Sequence, residues 1–207
     1  MSDRFKNKYR ISSARLQTWN YADNGMYFIT ICTKDRECFF GDIVETPRYI
    51  GASLADAPEY EMQLNDLGKK AELEWQKTTE LRPDMNLELA EYIVMPNHFH
   101  GIIFIGENEY NNDYSKNIVG DVMHHVSTSG IIDDKPKNKF GNQSKNLASV
   151  VGGFKAAVTT YARKNNIPFD WQARFHDHII TSNEEYTRIA NYIINNPDVW
   201  KKDKFYR

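Results

Sequence analysis

The chain has 207 residues, 41% of them hydrophobic and 26% charged, with a formal net charge of −2. That is enough apolar material for the core of one domain and too little for a membrane protein. No apolar run approaches the roughly 18 residues a transmembrane helix needs, and the opening MSDRFKNKYR has no apolar signal-peptide core. Two cysteines, Cys32 and Cys38, are too few for a disulfide framework or a four-thiolate zinc site, so a cytoplasmic protein with reduced thiols is expected.

The small net charge conceals segregation. From Lys135 onward thirteen basic residues stand against six acidic ones, and the first 19 residues add Arg4, Lys6, Lys8, Arg10 and Arg15 against Asp3 alone. Acidic residues concentrate between Asp35 and Glu91. Such segregation can place a basic face on a nearly neutral protein, and it can equally be a solvated surface without function.

In chain order, residues 26–33 (MYFITICT) alternate and are rich in β-branched and aromatic types, which predicts a strand; 38–44 predicts a second, weaker one. Residues 62–80 carry Met62, Leu64, Leu67, Ala71, Leu73 and Trp75 at helical spacing, with Arg82-Pro83 as the stop. Residues 86–95 and 100–105 read as two strands separated by Pro96-Asn97, close enough to pair as a hairpin. Residues 107–145 lack a strong pattern and read as a loop insertion within one domain spanning 1–207. A helix is predicted over about 145–165, a strand over 174–181, and a last helix from the N-cap Ser182 through Ile189, Tyr192 and Ile193 to Pro197. The order β-β-α-β-β-α-β-α predicts an α+β fold, an antiparallel sheet with helices on one face.

Two His-x-His pairs stand out, His98-Phe99-His100 and His176-Asp177-His178. On a strand, residues i and i+2 share a face roughly 7 Å apart, so two imidazoles can converge on one divalent metal; half-buried, hydrogen-bonded histidines produce the same pattern. The adjacent His124-His125 cannot readily share a ligand face. On the last helix Tyr192 and Asn196 are four residues apart and therefore neighbours. A tyrosine beside a metal can attack a phosphoryl centre, and an Asn oxygen is a hard donor suited to Mg²⁺ or Mn²⁺, although a tyrosine on an amphipathic helix commonly serves packing.

The run Tyr92-Ile-Val-Met-Pro-Asn-His98-Phe-His100-Gly-Ile-Ile resembles the HUH motif strand of the single-tyrosine transposases, the insertion-sequence enzymes and their REP-associated tyrosine transposase relatives. Trp171-Gln-Ala-Arg174-Phe-His-Asp-His178-Ile-Ile, followed by Tyr192-Ile-Ile-Asn-Asn196-Pro, resembles the C-terminal signature of that family, and Tyr27-Phe-Ile-Thr-Ile-Cys-Thr and Phe40-Gly-Asp resemble its opening strands. The resemblance covers most of the chain outside 107–145. It implies a ferredoxin-like HUH endonuclease fold in which His98 and His100 bind a divalent metal, Mg²⁺ or Mn²⁺, Asn196 completes the metal site, and Tyr192 is the nucleophile. His176 and His178 match a recurrent part of the pattern without an assigned role. The implied activity is cleavage and rejoining of single-stranded DNA at hairpins, element ends or extragenic palindromes, through a 5′-phosphotyrosine, by a monomer or homodimer. A hairpin-binding protein without nuclease activity and a water-using phosphodiesterase are the competing readings. Charge placement makes the N-terminal segment and Lys145, Lys155, Arg163 and Lys164 the expected phosphate contacts.

Overall fold

The computed structural model describes residues 19–46, 60–111 and 144–206. The basic N-terminal segment, most of the expected insertion, and His124-His125 lie outside the described residues. The elements are β1 (Gly25–Cys32), β2 (Gly41–Glu45), β3 (Tyr60–Leu64), α1 (Asp66–Gln76), β4 (Leu87–Met95), β5 (His98–Ile105), α2 (Leu147–Lys164), β6 (His176–Ile180) and α3 (Asn183–Ile194). Four strands form one antiparallel sheet in the order β4-β5-β1-β6, while β2 and β3 pair separately as a ribbon. Strands β1 and β4 are connected through α1 and separated by β5, and β5 and β6 are connected through α2 and separated by β1. These two split β-α-β units make the expected α+β, ferredoxin-like sheet.

Strand periodicity assigns the two faces. Tyr27, Ile29 and Ile31 of β1 and Phe99, Ile103 and Ile105 of β5 meet Leu67, Ala71 and Trp75 of α1 and Val150, Val151, Phe154 and Val158 of α2. Gly101 keeps this face close-packed, since a Cβ there would sit 2.8 Å from Phe99 Cε1 and 3.1 Å from Trp75 Cζ2. The opposite face, with Phe28, Ile102 and Ile180, is covered by Ile189, Ala190 and Ile193 of α3. The expectation of helices on one face is therefore corrected: α1 and α2 share one face and α3 lies on the other. The cause lies in β5, whose residues are buried along both faces and so need a cover on each.

Several boundaries also differ from the sequence reading. The second strand begins at Gly41 and joins the ribbon rather than the main sheet, and the helix expected from residue 62 begins at Asp66. Met62 and Leu64 belong to β3; their spacing fits a strand as well as it fits a helix. Asn65 decides the boundary, because its side chain accepts a hydrogen bond from Gly68 N at 3.0 Å and caps α1 there. The last helix stops at Ile194, short of Pro197, and a 3-10 turn over Trp200–Lys202 follows.

Candidate active site

The even-numbered residues of β5 and β1 face α3, and this puts His98 and His100 on the same side as Tyr192. The two histidines are 0% and 1% exposed, with ring centroids 4.4 Å apart. The neighbouring Asn97 sets the tautomer of His98. Asn97 Nδ2 donates to the backbone oxygens of Arg36 (3.0 Å) and Phe205 (2.8 Å), so Asn97 Oδ1 is left to accept from His98 Nδ1 at 2.9 Å. His98 Nε2 then carries the lone pair, and it is buried without a hydrogen-bond partner. His100 Nδ1 lies 2.9 Å from Thr30 Oγ1 and its Nε2 lies 3.2 Å from the Tyr192 hydroxyl.

Burial, reinforced by the nearby charges of Lys204 and Arg36, pushes the His98 pKa down to about 3. Burial and His98 together push His100 down as well. Both imidazoles are thus neutral at physiological pH, the form that ligates metals. The linkage sign follows. Each histidine has its folded pKa below its unfolded value of about 6.5, so the stability it confers is fully present above that value and is lost as pH falls toward the folded pKa. We expect thermal melts to show stability falling below pH 6.5 by about 1.4 kcal/mol per pH unit for each buried histidine. A His98→Asn variant should have a shallower slope; an unchanged slope would mean that His98 is not held neutral.

Helix α3 carries the tyrosine, and several independent contacts fix it. Ser182 accepts from Glu185 N at 3.2 Å, Tyr186 donates to Glu91 Oε2 of β4 at 2.8 Å, and Ile189 and Ile193 bury against the sheet. Tyr192 follows on the same stripe, three residues after Ile189. Its ring lies 5.2 Å from that of His100 and 6.4 Å from that of Phe28. Its hydroxyl donates to Asp203 Oδ2 at 3.0 Å, and Asn196 Nδ2 donates to the same oxygen at 3.2 Å. Asn196 is fully buried and its Oδ1 has no hydrogen-bond partner. Burial and the Asp203 carboxylate raise the Tyr192 pKa, so the group rests as a neutral phenol.

A divalent cation fits this donor set. Among the described residues the buried side-chain polar atoms without a partner are Trp75 Nε1, His98 Nε2 and Asn196 Oδ1, and two of these three belong to residues of this one cluster. Unsatisfied buried polar atoms are costly, and a lone-pair nitrogen and a carboxamide oxygen are the kinds of donor a Mg²⁺ or Mn²⁺ ion would satisfy. No group of three His, Cys, Asp or Glu side chains forms a metal cage among the described residues; the donor atoms left open in this cluster are one imidazole nitrogen and one amide oxygen.

The structure brings His98, His100, Tyr192 and Asn196 together, and it separates the second histidine pair from them. His176 and His178 lie on the same sheet face, opposite Thr30 and Phe28, but on the exposed edge strand β6. His178 Nε2 pairs with Glu185 at 2.7 Å, tying β6 to the first turn of α3. The expected phosphate contacts fare unevenly. Lys155 and Lys145 are engaged within the protein, Lys155 with the Gln172 and Arg174 carbonyls at 2.8 and 3.1 Å and Lys145 with Asp84. Arg163 and Lys164 are exposed, yet α2 covers the face opposite the histidines. The cations beside the site are Arg36 and Lys204, 5.3 and 4.8 Å from the Phe205 ring, which itself lies 4.6 Å from His98.

Sequence reasoning missed Asn97, Thr30, Asp203 and Phe205. Asn97 directly precedes His98 and was readable as its partner. Asp203 lies in the short tail beyond α3, where no periodicity pointed to it.

No family model matches the chain. Among solved structures, a REP-associated tyrosine transposase bound to a REP hairpin has a TM-score of 0.48 at 18% identity, over 90% of this chain and 73% of that one. An uncharacterized protein of Haemophilus influenzae is 35% identical over 195 residues, covering 94% of this chain and 92% of its own length. With that identity across nearly the whole of both chains, the chain belongs to the same family as the Haemophilus influenzae protein.

Proposed function

We propose that the protein is a metal-dependent transposase or endonuclease of single-stranded DNA that cleaves and rejoins strands at hairpin-containing sites, acting on DNA in the cytoplasm. The observation that carries this reading is the placement of the Tyr192 hydroxyl 3.2 Å from Nε2 of His100, beside a buried histidine and a buried carboxamide that each leave a donor atom unsatisfied. The motif resemblance of the HUH strand and the tyrosine helix supports the same assignment.

His98, His100 and Asn196 would hold the cation, Mg²⁺ or Mn²⁺. What such a cation supplies when bound is withdrawal of electron density from a non-bridging phosphate oxygen, easing attack at phosphorus. Tyr192 provides the nucleophilic oxygen. Its O–P bond forms as the P–O3′ bond breaks, the phenol gives up its proton, the 3′-oxygen departs as a hydroxyl, and the 5′-phosphate stays on the tyrosine. Attack by a second strand's 3′-hydroxyl restores the phenol and joins the strands, with no outside energy source because the phosphoester bond was conserved. Helix α3 packs on the sheet of its own chain, so a single protomer carries every group named. Arg36 and Lys204, exposed or half-buried beside Phe205, are the charges best placed to meet the phosphate backbone.

The test is a hairpin oligonucleotide from the DNA flanking the gene, incubated with the protein and Mn²⁺ or Mg²⁺ and resolved on a denaturing gel. A covalent protein–DNA adduct that disappears with chelator is expected. Hairpin binding without cleavage at several flanking sequences would reduce the protein to a binding module.

A further inference from the structure

We propose that Asp203 is a positioning residue that fixes the carboxamide of Asn196 for metal ligation. This rests on the metal-site reading above. The argument begins with the ambiguity of an amide: its oxygen and nitrogen ends are nearly the same size, and only the hydrogen-bond partners decide which end faces where. Asn196 is fully buried, so no bulk water can make that choice. Asp203 Oδ2 accepts from Asn196 Nδ2 at 3.2 Å and can accept only from the nitrogen end; a flipped amide would set two acceptors against each other. The carboxylate therefore turns Oδ1 away from itself, where it stays buried with its lone pairs unused.

Asp203 is itself held in place. Its Oδ1 accepts from Phe205 N at 2.7 Å, its own N–H donates to Trp200 O at 3.0 Å, and the following residues are clamped by Arg36 Nη1 on Lys204 O at 2.9 Å and by Asn97 Nδ2 on Phe205 O at 2.8 Å. Asn97 thus orients His98 and also anchors the segment that bears Asp203. One oxygen of Asp203 serves both Asn196 and the Tyr192 hydroxyl, so the orientation of the amide donor and that of the nucleophile share a single support. Outer partners of metal ligands commonly govern affinity by about 10–100-fold.

The experiment is Mn²⁺ binding to the DNA-free protein, followed by electron paramagnetic resonance of the free ion. Wild type is compared with Asp203→Ala, Asn196→Ala, the double variant and Asp203→Asn, with thermal melts confirming that each is folded. Asp203→Ala and Asn196→Ala should each weaken binding about tenfold or more, and the double variant should lose no more than the worse single one, because Asp203 acts through Asn196. Asp203→Asn keeps one acceptor oxygen where the carboxylate uses two, so it can orient Asn196 only by giving up Phe205 N, and its affinity should fall between those of wild type and Asp203→Ala. Should the alanine variant fail to fold, Asp203→Val, similar in shape and unable to accept, takes its place. Unchanged or tighter binding in Asp203→Ala would overturn the assignment and mark the carboxylate as an obstruction. Additive losses would overturn it in favour of a direct ligand. Wild-type protein that binds no Mn²⁺ would remove the metal site and this inference together. Coupled Mn²⁺ binding with no adduct on any hairpin would sink the transposase reading and leave Asp203 its role.

Discussion

Replacing Tyr192 by phenylalanine is expected to lower formation of the protein–DNA adduct by at least about a thousandfold, because the substitution deletes the only atom through which a phosphotyrosine can form. Structurally the change is mild. The ring keeps its contacts with His100 and Phe28, and the lost hydrogen bonds, to Asp203 and His100, are worth about 1 kcal/mol each. The variant should therefore melt within a few degrees of wild type and still bind the hairpin with an affinity within about threefold. That combination separates a nucleophile from a packing residue, which matters in a chain with 12 tyrosines. Of these, Tyr186 lies on the same helix, but it is committed to Glu91 of β4 at 2.8 Å and is no substitute. Strand cleavage that survives in Tyr192→Phe, with no adduct, would replace the transposase reading with that of a phosphodiesterase using water.

The parts of this site that were legible in the sequence are those carried by regular elements. His98 and His100 share a face because a strand has period two, and Tyr192 and Asn196 meet because a helical turn spans four residues, even though Asn196 falls just past the end of α3. The face on which α3 lies was not legible. That depends on β5 being buried on both sides, and the side toward α3 carries His98 and His100 ahead of Ile102, a mixed pattern that does not show how many covers the strand will find. Boundaries failed where one residue outweighed a pattern, as Asn65 does at the start of α1. Asp203 and Phe205 escaped for a different reason. Their positions come from backbone carbonyls caught by Asn97 and Arg36, and contacts made at a sequence distance of more than one hundred residues leave no local signal. Charge was the weakest guide. Lys155 counts as a cation in any tally, yet its ammonium is spent on two carbonyls of its own chain.

Mn²⁺ should raise the melting temperature, and the effect should rest on the buried histidine pair. An ion that binds only the folded protein stabilises it by about 2.7 kcal/mol when present at a hundredfold excess over its dissociation constant, which is about 5–10 °C for a chain of this size. His98→Ala and His100→Ala should each abolish the shift. His176→Ala should leave it intact, since that side chain is exposed on the edge strand and the structure does not bring it to the cluster. The pH dependence discriminates further. Metal binding requires neutral imidazole, and protons compete with the metal only near the folded pKa. For His98 that is about 3, so the Mn²⁺-induced shift should stay nearly constant from pH 8 down to pH 5, even as the metal-free protein loses stability below 6.5. An ordinary exposed histidine would lose the competition about three pH units earlier. A shift that halves by pH 6 would therefore place the ion on solvent-exposed histidines and would break the link between His98, His100 and the proposed chemistry at Tyr192.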